Sequence, residues 1–309
     1  MKSITIATRK SRLAVVQSEY AGDLLKKLCP DVRISLLGVL TRGDRDRSDF
    51  LQESASAGFF TSEVEKALLR GEADLAVHSF KDLPTALTDG LCIAAVPPRE
   101  SPCDALVCSC RASSIAELPA GTTVGTSSLR RIAQVKHLRA DLTCVPLRGN
   151  VETRVKKVST GQIEAIIVAK AGLDRLGLSE KISAILPCEH FLPAPAQGAL
   201  ALQIRADNKE LAQLVEKLDH KPSRITAEVE RCILASVQGG CSVPLGAYAK
   251  IENEQMTITA MICDEQGSNF IKRSKTVSVK EAMAGAAQLA CELLDSGGER
   301  IIAAIEKNR

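Results

Sequence analysis

The first two-thirds of the chain alternates short β-rich runs with helical patterns, and that alternation narrows the possible folds more than any other feature. Ile4–Ala7 reads as a strand, and Ser11 is placed to cap a helix that runs to about Leu28. Val32–Leu40 is the next strand. Thr61 and Ser62 then open a helix, with Glu65 three residues after Ser62 as a capping box and Gly71 as its stop. Asp74–Ser79 is a strand, and a second series follows through Ala105–Cys108, Thr122–Gly125, Leu142–Val145 and Ala165–Val168. Alternation of this kind requires a parallel or mixed sheet covered by helices. After Ala199–Ile204 and a helix near Asn208–Leu218 the character changes. A helical stretch at Thr226–Ser236 leads to strands at Leu245–Lys250, Thr257–Cys263 and Phe270–Val277, and two helical segments follow from Lys280 onward. These predict a smaller third α/β unit. The Pro-rich stretches at 97–103 and 188–198 look like paired crossings between two lobes.

Composition sets outer limits. A chain of 309 residues suggests two or three domains. Aromatic side chains are scarce, with no Trp, two Tyr and six Phe, which disfavours a base-stacking surface for nucleic acid. The net charge of +3 is too small to imply a polyanion partner. No uncharged run is long enough to span a bilayer, and "MKSITIATRKSRLAVV" lacks the form of a secretory leader. With eleven cysteines, a reducing cytosol and unbridged thiols are expected.

Three strand-to-helix junctions share one chemistry: "ATRKS" (7–11), "GTSSLRR" (125–131) and "RGNVETR" (148–154). Each sets hydroxyl or amide side chains and arginine beside a helix start, where unpaired N–H groups and the helix dipole favour anions. Arginine adds a planar fork that matches a carboxylate or phosphate. In open α/β sheets such turns lie at the carboxyl ends of the strands, where ligands bind. Any one of them alone would read as an ordinary solvated helix start; three together favour a polyanionic ligand. Neither phosphate-binding glycine motif is present, so several carboxylates on one small molecule fit better than a nucleotide.

"DLAVHSFKDLP" (74–84) places Lys81 and Asp82 at a strand end, with Pro84 holding Leu83 extended. A single carboxylate among so many cations should stay ionised, able to stabilise a cationic intermediate or pass a proton. Its bland alternative is a surface Lys–Asp turn. His78 is expected to pack or hydrogen-bond within its strand, and His137 and His220 carry no signal. Cys103, Cys108 and Cys110, together with Cys188 and His190, match no common zinc spacing, so no metal is expected. "SVQGGCSVPLG" (236–246) is different: two glycines and a Ser-Val-Pro put Cys241 on a turn. The residues 41–60, polar and without period, read as a lid or binding loop.

Seven stretches, "ATRKS", "VHSFKDLP", "GTSSLRR", "RGNVETR", "AGLDRLGL", "PAPAQGAL" and "GGCSVPLGA", occur in the order found in the porphobilinogen deaminases, and from Ile6 to Ala247 the chain resembles that family. The resemblance implies an α/β fold of two lobes like type II periplasmic binding proteins. It adds a small C-terminal α/β domain with a three-stranded antiparallel sheet. The implied boundaries are 1–98 with 199–219 for the catalytic lobe, 103–192 for the second lobe with its Arg-rich cleft wall, and 222–309 for the third domain. It also implies a transferase that joins four porphobilinogens head to tail with loss of ammonia, giving hydroxymethylbilane for heme and other tetrapyrroles. The primer would be one dipyrromethane per chain, held by a thioether.

By position, Cys241 matches the attachment cysteine and Asp82 the catalytic aspartate. Lys81, Asp82, Thr126, Ser127, Ser128, Arg130, Arg131 and Gln197 match cofactor-binding positions. Arg9, Ser11, Arg148, Arg154 and Arg175 match residues that grip the acetate and propionate groups of the substrate porphobilinogen. The family suggests a cytoplasmic monomer with no nucleic-acid or membrane partner. This chain departs from the pattern in the lid: Ala57 stands where a lysine is expected, Arg42, Arg45 and Arg47 could supply charge instead, and Phe60 keeps the aromatic position. Ala196 stands where glycine is common. Two rival readings, a dicarboxylate-binding protein and a cysteine hydrolase, leave Cys241 without a task or without a local histidine partner.

Overall fold

The computed structural model describes residues 2–40, 61–237 and 243–307. The expected lid residues Arg42, Arg45, Arg47, Ala57 and Phe60, and the expected attachment residue Cys241, lie outside the described residues. Two compact units are formed. The first comprises Met1–Glu100 and Ala199–Ile225, the second Ser101–Gly198 and Thr226–Arg309.

In the first unit β1 (Ser3–Arg9), β2 (Arg33–Val39), β3 (Leu75–Ser79), β4 (Leu91–Ala95) and β10 (Leu200–Arg205) form a five-stranded sheet in the order β2-β1-β3-β10-β4. β1 runs parallel to β2 and β3, whereas β10 is antiparallel to β3 and β4. The buried face that includes Ile4, Ile6, Leu75, Val77, Leu202 and Ile204 packs with Ala21 and Leu25 of α1 (Arg12–Leu28). Ser11 caps α1 as expected, its Oγ accepting from Ala14 N at 3.4 Å. The other face holds α2 (Ser62–Leu69) through Val64, Ala67 and Leu68.

The expected Ser62–Glu65 capping box is not formed. Ser62 is the first helical residue, Thr61 precedes it without a side-chain cap, and the carboxylate of Glu65 turns inward. There it accepts from Thr88 Oγ1 at 3.0 Å and from Gln203 Nε2 at 2.9 Å. A buried carboxylate needs such donors, and partners brought by the sheet win over a local cap.

The second unit repeats the pattern. β5 (Asp104–Cys108), β6 (Thr123–Gly125), β7 (Thr143–Val145), β8 (Ala165–Ala169) and β9 (Ala184–Leu186) give the order β7-β6-β8-β5-β9. Again three parallel strands are followed by an antiparallel one and an edge strand, so β5 holds here the place that β10 holds in the first sheet. The short edge strands β4 and β9 and the short helix α5 (Lys170–Arg175) lack a sequence signal strong enough to read. Helices α3 (Leu129–Leu138) and α4 (Val151–Ser159) follow β6 and β7. Asn150 caps α4, accepting from Thr153 N at 2.9 Å.

α6 (Lys209–Val215) starts at its cap Asn208, and α7 (Lys221–Ser236) begins earlier than its apolar pattern indicates. Pro222 in its first turn and a hydrogen bond from Arg224 N to His220 O explain the early start. The C-terminal portion is the expected three-stranded antiparallel sheet, β11 (Leu245–Glu252), β12 (Gln255–Cys263) and β13 (Phe270–Ser278). Asn253 and Glu254, both left-handed at φ 48° and 62°, make the tight turn between β11 and β12. Helices α8 (Ala282–Leu293) and α9 (Glu299–Lys307) complete it. No described helix is long and apolar enough to cross a membrane.

Candidate active site

In the first unit, Arg9 ends β1, and the neighbouring parallel strand β3 leads into Phe80–Asp82, a single 3₁₀ turn. Phe80 is buried and its N–H donates to Ala199 O at 3.0 Å, while Leu83 is buried and extended at φ −76°, ψ 138°. Lys81 and Asp82 are therefore pinned between two buried anchors, with Asp82 itself exposed. The extended Leu83 before Pro84 is the conformation expected from sequence. Gln17 of α1 donates to Ser79 Oγ at 3.0 Å, fixing the helix that carries Ser11 against this strand end.

His78 takes no part in that surface. It is buried and hydrogen-bonded at 3.0 Å to Gln203 on β10, whose amide nitrogen in turn donates to Glu65. Burial lowers its pKa to about 4, against the opposing effects of Glu65 and the Gln203 hydrogen bond. A neutral imidazole in a satisfied network is a structural group, as its strand position suggests.

In the second unit two of the three basic turns meet on the adjacent parallel strands β6 and β7. Thr126 N donates to Val145 O at 2.9 Å, and Ser127 Oγ both accepts from Leu147 N and donates to Leu147 O, at 3.0 and 3.1 Å. Ser128 takes the cap position of α3, and its N–H donates to Thr126 Oγ1 at 3.2 Å. Glycine lets the two turns approach closely: a Cβ on Gly125 would lie 2.4 Å from Ile163 Cδ1 and 2.9 Å from Leu147 Cδ2, and these side chains would have to move. The Ser127 hydroxyl and the Thr126 N–H thus stitch the two turns together.

Arg130 and Arg131, at the start of α3, point into the unit and not into solvent. Both pair with Asp104, the first residue of β5, which is fully buried. Arg130 Nη1 donates to Asp104 Oδ2 at 2.8 Å and to Leu192 O at 2.6 Å. Arg131 reaches Asp104 Oδ1 through Nε at 3.2 Å and Nη2 at 2.7 Å, and donates from Nη1 to Ile167 O at 3.1 Å. Gln197, also buried, donates to Asp104 Oδ1 at 2.9 Å and to Pro102 O at 2.7 Å. Burial works against the charge on Asp104, but the two guanidiniums outweigh it and hold the carboxyl well below the usual range. Burial, and secondarily the charge of Arg131, lower the pKa of the half-buried Arg154. Two guanidiniums share one carboxylate here and a third cation stands near, so the cluster carries excess positive charge at low dielectric. Such a cluster attracts carboxylates.

Arg154 Nε donates to Gly149 O at 2.7 Å, Arg148 is exposed on the same turn, and Arg175 donates to Gly198 O at 2.8 Å. Of the expected residues, Thr126, Ser127, Ser128, Arg130, Arg131, Arg154 and Gln197 thus fall in one neighbourhood of the second unit. Arg9, Ser11, Lys81 and Asp82 lie at the carboxyl end of the first sheet. Asp104 was missed by the sequence reading. Its signal is an acid opening the wholly buried run "DALV", which has to be paired.

Fold and site define an α/β protein of two like-ordered sheets, one with an exposed acid and one with a cationic, carboxylate-seeking cluster. Family models narrow this further. "Porphobilinogen deaminase, dipyromethane cofactor binding domain" matches residues 4–213, and "Porphobilinogen deaminase, C-terminal domain" matches residues 224–295. Porphobilinogen deaminase of Pelotomaculum thermopropionicum is 41% identical over 301 residues, covering 97% of this chain and 96% of the relative. That of Chromobacterium violaceum is 43% identical over 305 residues, covering 99% and 98%. Among solved structures, a TRAP periplasmic solute binding protein from Desulfovibrio salexigens aligns with a TM-score of 0.43 and 10% identity over 74% of each chain, too slight a likeness to weigh.

The chain belongs to the porphobilinogen deaminase family. It is a transferase of tetrapyrrole synthesis, a hydroxymethylbilane synthase by activity, and uses a dipyrromethane cofactor. The residues present suit that carboxylate-bearing group in kind, with excess positive charge around Asp104 and the hydroxyls of the β6 turn next in sequence to Arg130 and Arg131.

Proposed function

We propose that the chain carries its dipyrromethane on Cys241 and lengthens it by four porphobilinogens, with Asp82 as the acid at the reacting centre. The bound cofactor supplies the pyrrole carbon to which the first substrate is joined. In each addition the aminomethyl C–N bond of porphobilinogen breaks and a C–C bond forms to the terminal pyrrole carbon. The proton lost from that carbon balances the amine, which departs as ammonia. Asp82, pinned by Phe80 and Leu83, accepts hydrogen bonds from pyrrole N–H groups and offsets the positive charge that develops as ammonia leaves. Lys81 beside it pairs with a carboxylate of the chain.

Thr126, Ser127, Ser128, Arg130, Arg131 and Gln197 form the wall for the cofactor's carboxylates, and Arg9, Ser11, Arg148, Arg154 and Arg175 hold those of the substrate and the growing product. The observation that supports this reading is the buried Asp104–Arg130–Arg131 cluster, whose excess positive charge suits a product that gains carboxylates at every step. Residues 1–98 with 199–219, residues 103–192 and residues 222–309 are proposed as three domains, and the protein as a cytoplasmic monomer without a nucleic-acid partner.

Mass spectrometry of the intact protein, with peptide mapping around Cys241, tests the attachment. The expected result is an added dipyrromethane on that peptide, absent from Cys241→Ser. An unmodified Cys241 that stays unmodified after incubation with porphobilinogen would overturn it. For Asp82→Asn the expected outcome is near-complete loss of ammonia release with an unchanged unfolding curve, and turnover like that of the wild type removes the assigned role.

A further inference from the structure

Cys103 and Cys188 stand with their sulfurs 2.9 Å apart in the second unit, with no disulfide between them. Strand pairing puts them there. β5 and β9 are antiparallel with Asp104 opposite Leu186, so the residue before Asp104 and the second residue after Leu186 become neighbours where this ladder ends. Cys103 is partly exposed and Cys188 is buried. The chemistry around the two is unequal. The hydrogen bond from Cys188, outweighing burial, lowers the Cys103 pKa to about 6. The hydrogen bond therefore favours the thiolate at Cys103, the reactive form of a cysteine.

We propose that Cys103 and Cys188 are a redox-active dithiol, a modification site that takes a reversible intramolecular disulfide from low-molecular-weight disulfides. The Cys103 thiolate attacks one sulfur of the small disulfide and expels the other half as a thiolate. Cys188 then gives up its proton and attacks the Cys103 sulfur of the mixed disulfide, expelling the second half. In sum, two protein thiols are oxidised to one disulfide, and one small disulfide is reduced to two small thiols. The sulfurs close from 2.9 Å to the roughly 2.05 Å of a covalent bond.

Both ends of the new bond lead directly into the arginine cluster. Cys103 precedes Asp104, and Lys170 N donates to Cys103 O at 3.0 Å. Four residues beyond Cys188, Leu192 O accepts from Arg130 at 2.6 Å and from Gln134 at 3.0 Å, while Leu192 N donates to Gln134 Oε1 at 2.7 Å. Oxidation therefore pulls on the carboxylate and the carbonyl that together hold Arg130, and this displacement slows substrate addition. That consequence rests on the function proposed above; the disulfide itself does not.

The test exposes the reduced holoprotein to oxidised glutathione, blocks remaining thiols with iodoacetamide and maps the peptides by mass. The expected result is a 103–188 cross-linked pair that has lost two hydrogens, while the exposed Cys291 shows only a mixed disulfide or the alkyl group. In Cys188→Ser, Cys103 should hold glutathione and no cross-link should form. Recovery of both Cys103 and Cys188 as alkylated residues after oxidation overturns the proposal. The oxidised wild type should turn over about tenfold more slowly, on the scale that a sub-ångström displacement can cost, and recover with dithiothreitol. Cys103→Ser should keep its rate under the same treatment. A cross-link with an unchanged rate overturns the coupling to Arg130; a cross-link in a protein that never consumes porphobilinogen leaves the dithiol standing and counts against the functional reading.

Discussion

The two five-stranded sheets have the same strand order, and in each the fourth strand carries one buried polar side chain that others converge upon. In the first sheet it is Gln203 on β10, and in the second it is Asp104 on β5. Gln203 joins a neutral imidazole to the Glu65 carboxylate, in a network satisfied within itself. Asp104 joins two guanidiniums and a glutamine, and the charges do not cancel. The same scaffold position therefore closes a network in one unit and, in the function proposed above, serves ligand chemistry in the other. A strongly shifted pKa does not separate the cases, since His78 and Asp104 both have one. The sign of the charge does: the Glu65 network keeps a buried negative charge held by neutral donors, whereas the Asp104 cluster keeps a positive one, and only the latter complements carboxylates.

The largest effect should come from Asp104→Asn. It strips the counter-charge from two buried arginines, and a broken buried ion pair costs about 3–5 kcal/mol. Urea denaturation should show the unfolding free energy falling by that amount with product formation abolished; a free energy near that of the wild type would mean the arginines find solvent and the cluster is not buried in solution.

Acid should act on the other network. Unfolded histidine binds a proton below about pH 6.5, whereas native His78 does so only near 4. The unfolded state holds more protons across that window, so stability falls as pH drops from 6.5 to 4, by up to about 3 kcal/mol. The carboxyl of Asp104 has its native pKa depressed, so its contribution is fully present above the unfolded carboxylate pKa and is lost only in stronger acid.

His78→Leu sharpens the distinction. Leaving Gln203 Oε1 without its donor costs about 1–3 kcal/mol at neutral pH. Stability measured against pH should then lose its slope between 6.5 and 4 while the arginine cluster keeps the rate of product formation. A slope that survives the substitution assigns it to other groups.

The smallest effect should be at Ala196, left-handed at φ 59° and fully buried, with its N–H donating to Glu230 at 2.6 Å. Alanine is strained there, so Ala196→Gly should stabilise by no more than about 1 kcal/mol, because glycine's greater unfolded entropy offsets the relief. A destabilised variant would show that side-chain packing outweighs backbone strain.

Caps and turns that depend on a few adjacent residues were legible in the chain. Ser11 and the extended Leu83 before Pro84 each behave as their neighbours dictate. The strand alternation, the C-terminal antiparallel sheet and the arginine-bearing turns could be read for the same reason. Glu65 could not. Its spacing from Ser62 suits a cap, but Gln203, 138 positions away, claims its carboxylate.

The sequence by itself determined the strand-and-helix alternation, the local caps, the ordered motifs that mark the family, and the residue types available for binding carboxylates. Only the tertiary structure decided which cations are neutralised and by whom. Asp104 meets Arg130 and Arg131 across 26 and 27 positions and Gln197 across 93. The sulfurs of Cys103 and Cys188 meet across 85. Periodicity and capping act within a turn or two of chain, whereas the energy of a buried charge or a paired thiol depends on what the sheet register brings beside it.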